Sequence, residues 1–173
     1  GLAGEIDAIV TSALHKEALN LAGCHHAGHT EILADLTQAK SVAMMLVVRE
    51  FVVTHVSTHC SLREAIERVR RSRILDVIRL TRDALARMGR TRARIAVAGL
   101  NPHAGEGGLF GQEEIAEILP AIQAARAEGI DVVARPVPPD TVFYQMHAHK
   151  AYDAVVAMYH DQGHIPAKLI DFA

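Results

Sequence analysis

Three histidines of this chain stand in matching local settings. His59 closes Phe51-Val-Val-Thr-His-Val-Ser-Thr-His59, His103 follows Ile95-Ala-Val-Ala-Gly-Leu-Asn-Pro102, and His160 closes Ala154-Val-Val-Ala-Met-Tyr-His160. Each lies just past a short apolar run that reads as a buried strand. In an open α/β sheet the carboxyl ends of parallel strands share one edge, where ligands bind, so side chains far apart in sequence can converge there. Three neutral imidazoles with coordination positions left open make the pattern of a catalytic zinc, whereas a structural zinc is closed by four protein ligands. Magnesium, manganese or cobalt are the alternatives. Taken singly, each histidine is a hydrogen-bonded polar residue near a strand end; the repeated placement is what points to a metal.

Other candidates surround these three. The segment from Gly99 to Gly111 is a glycine-rich loop between a strand and a helix that starts near Gln112. Such a loop lets backbone N–H groups approach an anion or a metal-bound substrate. It is neither a dinucleotide fingerprint nor a P-loop; on glycine spacing alone it is a tight turn, and its histidine and acid give it interest. Gly28-His29-Thr30-Glu31 sets His29 and Thr30 at the mouth of a helix, where unpaired N–H groups favour a phosphate or carboxylate, a helix cap being the plainer reading. Asp161 and Gln162 adjoin His160 and are placed to orient a ligand. Lys168, on the same segment, suits a substrate anion, or is an ordinary surface lysine. His15, His25, His26, His147 and His149 have no such company and read as structural or exposed.

The elements that position these residues alternate strand with helix: Ile6 to Val10 then Ser12 to Leu21; Val42 to Val48 and Phe51 to Val56 then Ser72 to Met88; Ile95 to Ala98 then Glu113 to Ala127. This is the rhythm of an α/β sheet. Ile74, Val77, Ile78, Leu85 and Met88 recur at helical spacing with arginines on the other face, and Gly89 is placed to end that helix. Ser61 and Glu64 make a capping box directly after His59. Residues 134–140, with three prolines, read as an ordered connection or a boundary.

A chain of 173 residues, half of them apolar, can bury one core. A net charge of −2 and 4% aromatic content leave no basic stripe or stacking platform for nucleic acid. No apolar run approaches the roughly 20 residues needed to span a bilayer, so a soluble, cytoplasmic protein is expected. Cys24 and Cys60 lack paired spacing and read as reduced thiols.

Three motifs carry a resemblance over almost the whole chain. Gly28-His-Thr-Glu31, Ala98-Gly-Leu-Asn-Pro-His-Ala-Gly-Glu-Gly-Gly108 and Ala157-Met-Tyr-His-Asp-Gln-Gly163 resemble the 4-hydroxythreonine-4-phosphate dehydrogenase family. The resemblance implies an α/β/α sheet like that of isocitrate and isopropylmalate dehydrogenases, present here as a fragment, residues 1–173 being one central segment of a longer dehydrogenase. It implies a homodimer with a shared active site, a divalent metal, and oxidation by NAD followed by decarboxylation. His59, His103 and His160 would be the metal ligands, His160 coming from the partner subunit. His29 and Thr30 would bind the phosphate end of the substrate, and Lys168 would also contact it. Asp140, in Pro-Pro-Asp-Thr, and Asp161 match positions near the substrate and are the catalytic candidates. No cofactor-binding residue for NAD is identified.

Gly163-His-Ile-Pro-Ala-Lys168 resembles the branch acting on 4-phospho-D-threonate or 4-phospho-D-erythronate, the vitamin B6 branch being expected to read Gly-Leu-Pro there. His164 marks the difference. The early segment from Thr11 to Lys16 departs from the family, with Ala13 and His15 where proline and often asparagine are usual. The rival readings are the vitamin B6 enzyme, a three-histidine metal hydrolase, and a non-catalytic, metal-binding, dimerising fragment.

Overall fold

The computed structural model describes residues 2–6, 8–26 and 28–171. It divides into two compact units, Gly1–Val42 and Ala43–Ala173. The first holds helices α1 (Lys16–Leu21) and α2 (His29–Thr37). Helix α1 is capped by the imidazole of His15, whose Nδ1 accepts from the Ala18 N–H at 3.2 Å, so this histidine is structural. The strand expected over residues 6–10 does not form among the described residues, Asp7 lying outside them; Ile9 and Val10 are exposed. A lone strand leaves its N–H and C=O groups without a ladder, and the described part of this unit has no second strand.

The second unit is a three-layer α/β/α sandwich. Strands β1 (Met45–Val48), β2 (Phe51–His55), β3 (Ile95–Val97) and β4 (Ala154–Ala157) form one sheet in the order β1-β2-β4-β3. β1 and β2 are an antiparallel hairpin, whereas β2, β4 and β3 run parallel, with Val53 beside Val155 and Ala96 beside Val155 on the other flank. Alternation along the strands splits the core in two. Val52, Ile95, Val97 and Val156 face α4 (Arg71–Arg87) and α5 (Leu119–Ala127). Phe51, Val53, Ala96, Val155 and Ala157 face α6 (Val142–His149) and α7 (His160–Ile170).

Helix α4 buries Ile74, Val77, Ile78 and Leu85 as its spacing predicts, and turns its charges outward, Arg79 pairing with Glu128. Met88 departs from the expected stripe: it caps the helix, is 45% exposed, and Gly89 follows at φ +84°. Helix α3 (Leu62–Arg68) starts at Ser61, whose hydroxyl accepts from the Glu64 N–H. The proline-rich stretch is more than a connection. Val137 donates to Val97 O and accepts from Gly99 N at the open side of β3, and Ile95 bridges Val132 in parallel. Pro136 and Pro138 have no N–H to give, so the ladder stops at single bridges. Among the described residues no helix is long and apolar enough to cross a membrane.

Leu85→Ala, at a wholly buried site, is expected to cost about 2–5 kcal/mol of unfolding free energy. Met88→Ala should cost a small fraction of that. Urea unfolding of the two variants checks the assignment of the buried stripe.

Candidate functional site

Because β2, β3 and β4 are parallel, their carboxyl ends lie on one edge of the sheet. His59 stands in the turn between β2 and α3, His103 in the loop after β3, and His160 is the first residue of α7, after β4. Two cross-links hold this edge. The Ser57 hydroxyl donates to Met158 O at 3.0 Å. The buried Gln162 side chain accepts from Met158 N at 2.7 Å and donates to Gly99 O at 2.8 Å, tying the ends of β4 and β3 together.

The edge brings His59 and His160 together, with ring centroids 5.7 Å apart. His160 Nδ1 lies 2.6 Å from the Asp161 carboxylate. A carboxylate can only accept, so Nδ1 carries a proton and Nε2 is the nitrogen available to a metal, the usual carboxylate–histidine arrangement around a metal ion. The donor chemistry therefore fits a divalent cation. Asp140 and Asp161 line one open cavity of about 390 Å³ with Tyr159 and Gln162. Lys168 is exposed two turns farther along α7.

His103 lines a different cavity, of about 470 Å³, with Glu114, Gln123 and Arg135. Among the described residues no three of His, Cys, Asp and Glu are grouped to hold a metal, and neither His59 nor His160 lines the cavity that His103 does. His29 and Thr30, half-buried, begin α2 in the first unit.

The loop carrying His103 is strained. His103, Ala104, Gly105, Glu106 and Gly107 all have positive φ, from 44° to 81°, and the left-handed conformation costs a non-glycine residue about 1–2 kcal/mol. The buried carboxylate of Glu114 offsets this by accepting from Leu100 N and Asn101 N, each at 2.7 Å, and from Asn101 Nδ2 at 2.9 Å. Glu113 accepts from the same amide, which holds its carboxyl below the ordinary value. At Gly105 a Cβ would stand 2.7 Å from Glu114 Oε2. Glu114 and Asn101 are parts of the site that motif spacing does not single out.

His55 is the other such residue. It ends β2, is wholly buried, and its Nε2 lies 3.2 Å from Nδ1 of His164. Burial, with His164 beside it, pushes its pKa down to about 4. Burial likewise holds His164 below the ordinary imidazole value. His164 lies face to face on His160, with centroids 3.6 Å apart and planes 11° from parallel, so four imidazoles run in contact from His55 through His164 and His160 to His59.

Comparison with known proteins agrees along the chain. The family model described as pyridoxal phosphate biosynthetic protein PdxA matches residues 1–173. The D-threonate 4-phosphate dehydrogenase of Pectobacterium atrosepticum is 53% identical over 171 residues, covering 99% of this chain and 52% of its own. The 4-hydroxythreonine-4-phosphate dehydrogenase of Beijerinckia indica is 55% identical over 167 residues, covering 96% of this chain and 49% of its own. The crystal structure of 4-hydroxythreonine-4-phosphate dehydrogenase from Klebsiella pneumoniae superposes with a TM-score of 0.93 at 54% identity, over 99% of this chain and 52% of that one. The chain thus spans about half the length of the curated relatives it matches.

Two predictions follow from this geometry. His55 stays unprotonated in the fold down to about pH 4 but binds a proton near 6.5 when unfolded. The unfolded state therefore gains protons first on acidification, and stability is lost as pH falls from about 6.5 towards 4, by at most about 1.4 kcal/mol per pH unit. Urea midpoints of the metal-free protein across that window should show this slope, and His55→Gln should flatten it. Glu114→Gln should destabilise the protein by about 1.5–3 kcal/mol for each charge-assisted bond weakened and open the 103–108 loop to limited proteolysis.

Proposed function

Since the chain belongs to the PdxA family, we propose that the intact protein is a metal-dependent, NAD-linked dehydrogenase of a phosphorylated 3-hydroxy acid. The preferred substrate is 4-phospho-D-threonate or 4-phospho-D-erythronate, and decarboxylation follows oxidation. The observation that carries this reading is the Asp161 carboxylate on His160 Nδ1 at the carboxyl edge of the parallel strands, which leaves Nε2 of His160 as a metal-binding nitrogen.

His59, His103 and His160 would hold a divalent cation, zinc first among the candidates, whose Lewis acidity acidifies a substrate hydroxyl and stabilises the charge left when carbon dioxide departs. The residues of the chain supply the rest. Asp161 keeps the Nε2 lone pair of His160 free for coordination. Asp140, in the same cavity as Asp161, is the carboxylate offered to a substrate proton. The N–H groups that open α2 attract an anion, and His29 and Thr30 are assigned to the substrate phosphate; Lys168 is assigned a contact to the substrate as well. The strained loop presents His103 on a backbone that Glu114 holds rigid, which suits a group that must be in place before substrate arrives.

A homodimer with shared sites belongs to the same proposal. The family resemblance assigns His160 to the partner's share of the site, whereas its ring stands 5.7 Å from His59 of its own chain. Subunit complementation separates the arrangements. If sites are shared, mixing inactive His103→Ala and His160→Ala proteins should restore about a quarter of native activity, because half the dimers are mixed and each has one intact site. No recovery would mean that each chain completes its own site.

The substrate is tested by following NAD reduction with 4-phospho-D-threonate, 4-phospho-D-erythronate and 4-phosphohydroxythreonine in turn. The expected result is turnover of one of the first two that a chelator abolishes. Preference for the third would assign the protein to vitamin B6 synthesis. Bound metal without turnover of any would leave the binding or hydrolase reading ahead.

A further inference from the structure

His164 lies one helical turn beyond His160 on α7, and its ring covers that of His160 at a centroid distance of 3.6 Å. Side chains four apart on a helix are neighbours but ordinarily sample several rotamers. Here the second ring is anchored. With its proton on Nδ1, where the Met44 carbonyl accepts at 3.4 Å, His55 presents a bare Nε2 to α7. His164 Nδ1 faces two acceptors, this bare nitrogen at 3.2 Å and the His160 carbonyl at 3.0 Å, and therefore carries the proton it shares with them. His55 itself has no room to turn, being wholly buried beneath Gly163, where any Cβ would collide with its Nε2.

The His160 ring is thus held in two independent ways. Asp161 bonds its Nδ1 and sets its rotation within the ring plane. The stack on His164 sets the plane itself. Two such constraints define the direction of Nε2, which is what a metal ligand must present. We propose that His164, anchored by His55, is a positioning residue that fixes the ring plane of His160 and so aims its Nε2 at the cation. This inference rests on the reading of His160 as a metal ligand. It gives His164 a task that leucine, the residue expected in the vitamin B6 branch, cannot perform in the same way, since leucine has neither a flat face nor a donor.

The test measures zinc affinity of the intact, metal-depleted protein by competition with a chromophoric chelator, beside thermal melting, for His160→Ala, His164→Leu and His164→Asn. His160→Ala should lose binding, and His164→Leu should weaken it by about 10- to 100-fold. The asparagine amide keeps a donor near the place of Nδ1 but has no ring. His164→Asn should therefore recover native melting while its zinc affinity stays reduced, a split that a merely structural role would not produce. Imidazole ¹⁵N spectra of the metal-free native protein should show His55 and His164 both protonated on Nδ1. Native zinc affinity in either folded His164 variant, with His160→Ala still deficient, overturns the inference and leaves the ligand reading standing. Full binding by His160→Ala removes the ligand reading and the inference with it. If neither His164 variant folds, the spectra decide, and a His164 proton on Nε2 overturns it.

Discussion

Much of this structure depends on one close approach, that of the first turns of α7 to β2. Gly163 has no side chain where the helix crosses the strand, and the space that a Cβ would fill belongs to the imidazole of His55. Contact this tight lets a polar ring end a central strand inside the core, bonded to His164 instead of water. Burying an imidazole without a partner would be costly, and the bond to α7 removes that cost while joining helix to sheet. The same contact sets the height at which α7 begins, and hence where His160, Asp161 and Gln162 stand at the sheet edge.

The other half of the edge is organised by a carboxylate. Glu114 lies buried at the start of a wide helical turn, Glu114–Ile118, that leads into α5. It gathers the N–H groups that follow β3 and keeps five successive residues in a conformation L side chains avoid. Strain of this kind persists only where the surroundings over-determine it, and the Asn101 amide between Glu113 and Glu114 supplies that redundancy. One side of the edge is therefore rigid through packed rings and the other through a bonded loop, and Gln162 links them.

Much of the fold was legible because periodicity reflects burial. The apolar runs of β2, β3 and β4 are the strands buried on both faces, and the helical stripe of α4 is the face that packs; the Ser61 cap sits where the capping box put it. The bridges at Val132 and Val137 were hidden by the prolines around them, which signal a connection. His55 was hidden by its neighbours: inside Phe-Val-Val-Thr-His-Val it looks like one polar residue in an apolar run. The spacing His160-Asp-Gln-Gly163-His164 held a usable clue, since a glycine between two histidines one turn apart marks a close helix crossing. Nothing in the residue order separates Glu114 from Glu113 beside it.

The residue order by itself determined the alternation of strands and helices, the placement of His59, His103 and His160 just after strands, and membership of a family through three motifs, because these are properties of short stretches of chain. Tertiary structure alone decided which of those residues meet. Whether two imidazoles touch depends on strand order, on the crossing of α7 over β2, and on which carboxylate is left to hold a loop, all contacts between residues as far as 109 positions apart. No local pattern encodes such distances. They follow from which apolar faces can be buried together, and His55 and Glu114 acquire their roles only once that packing is complete.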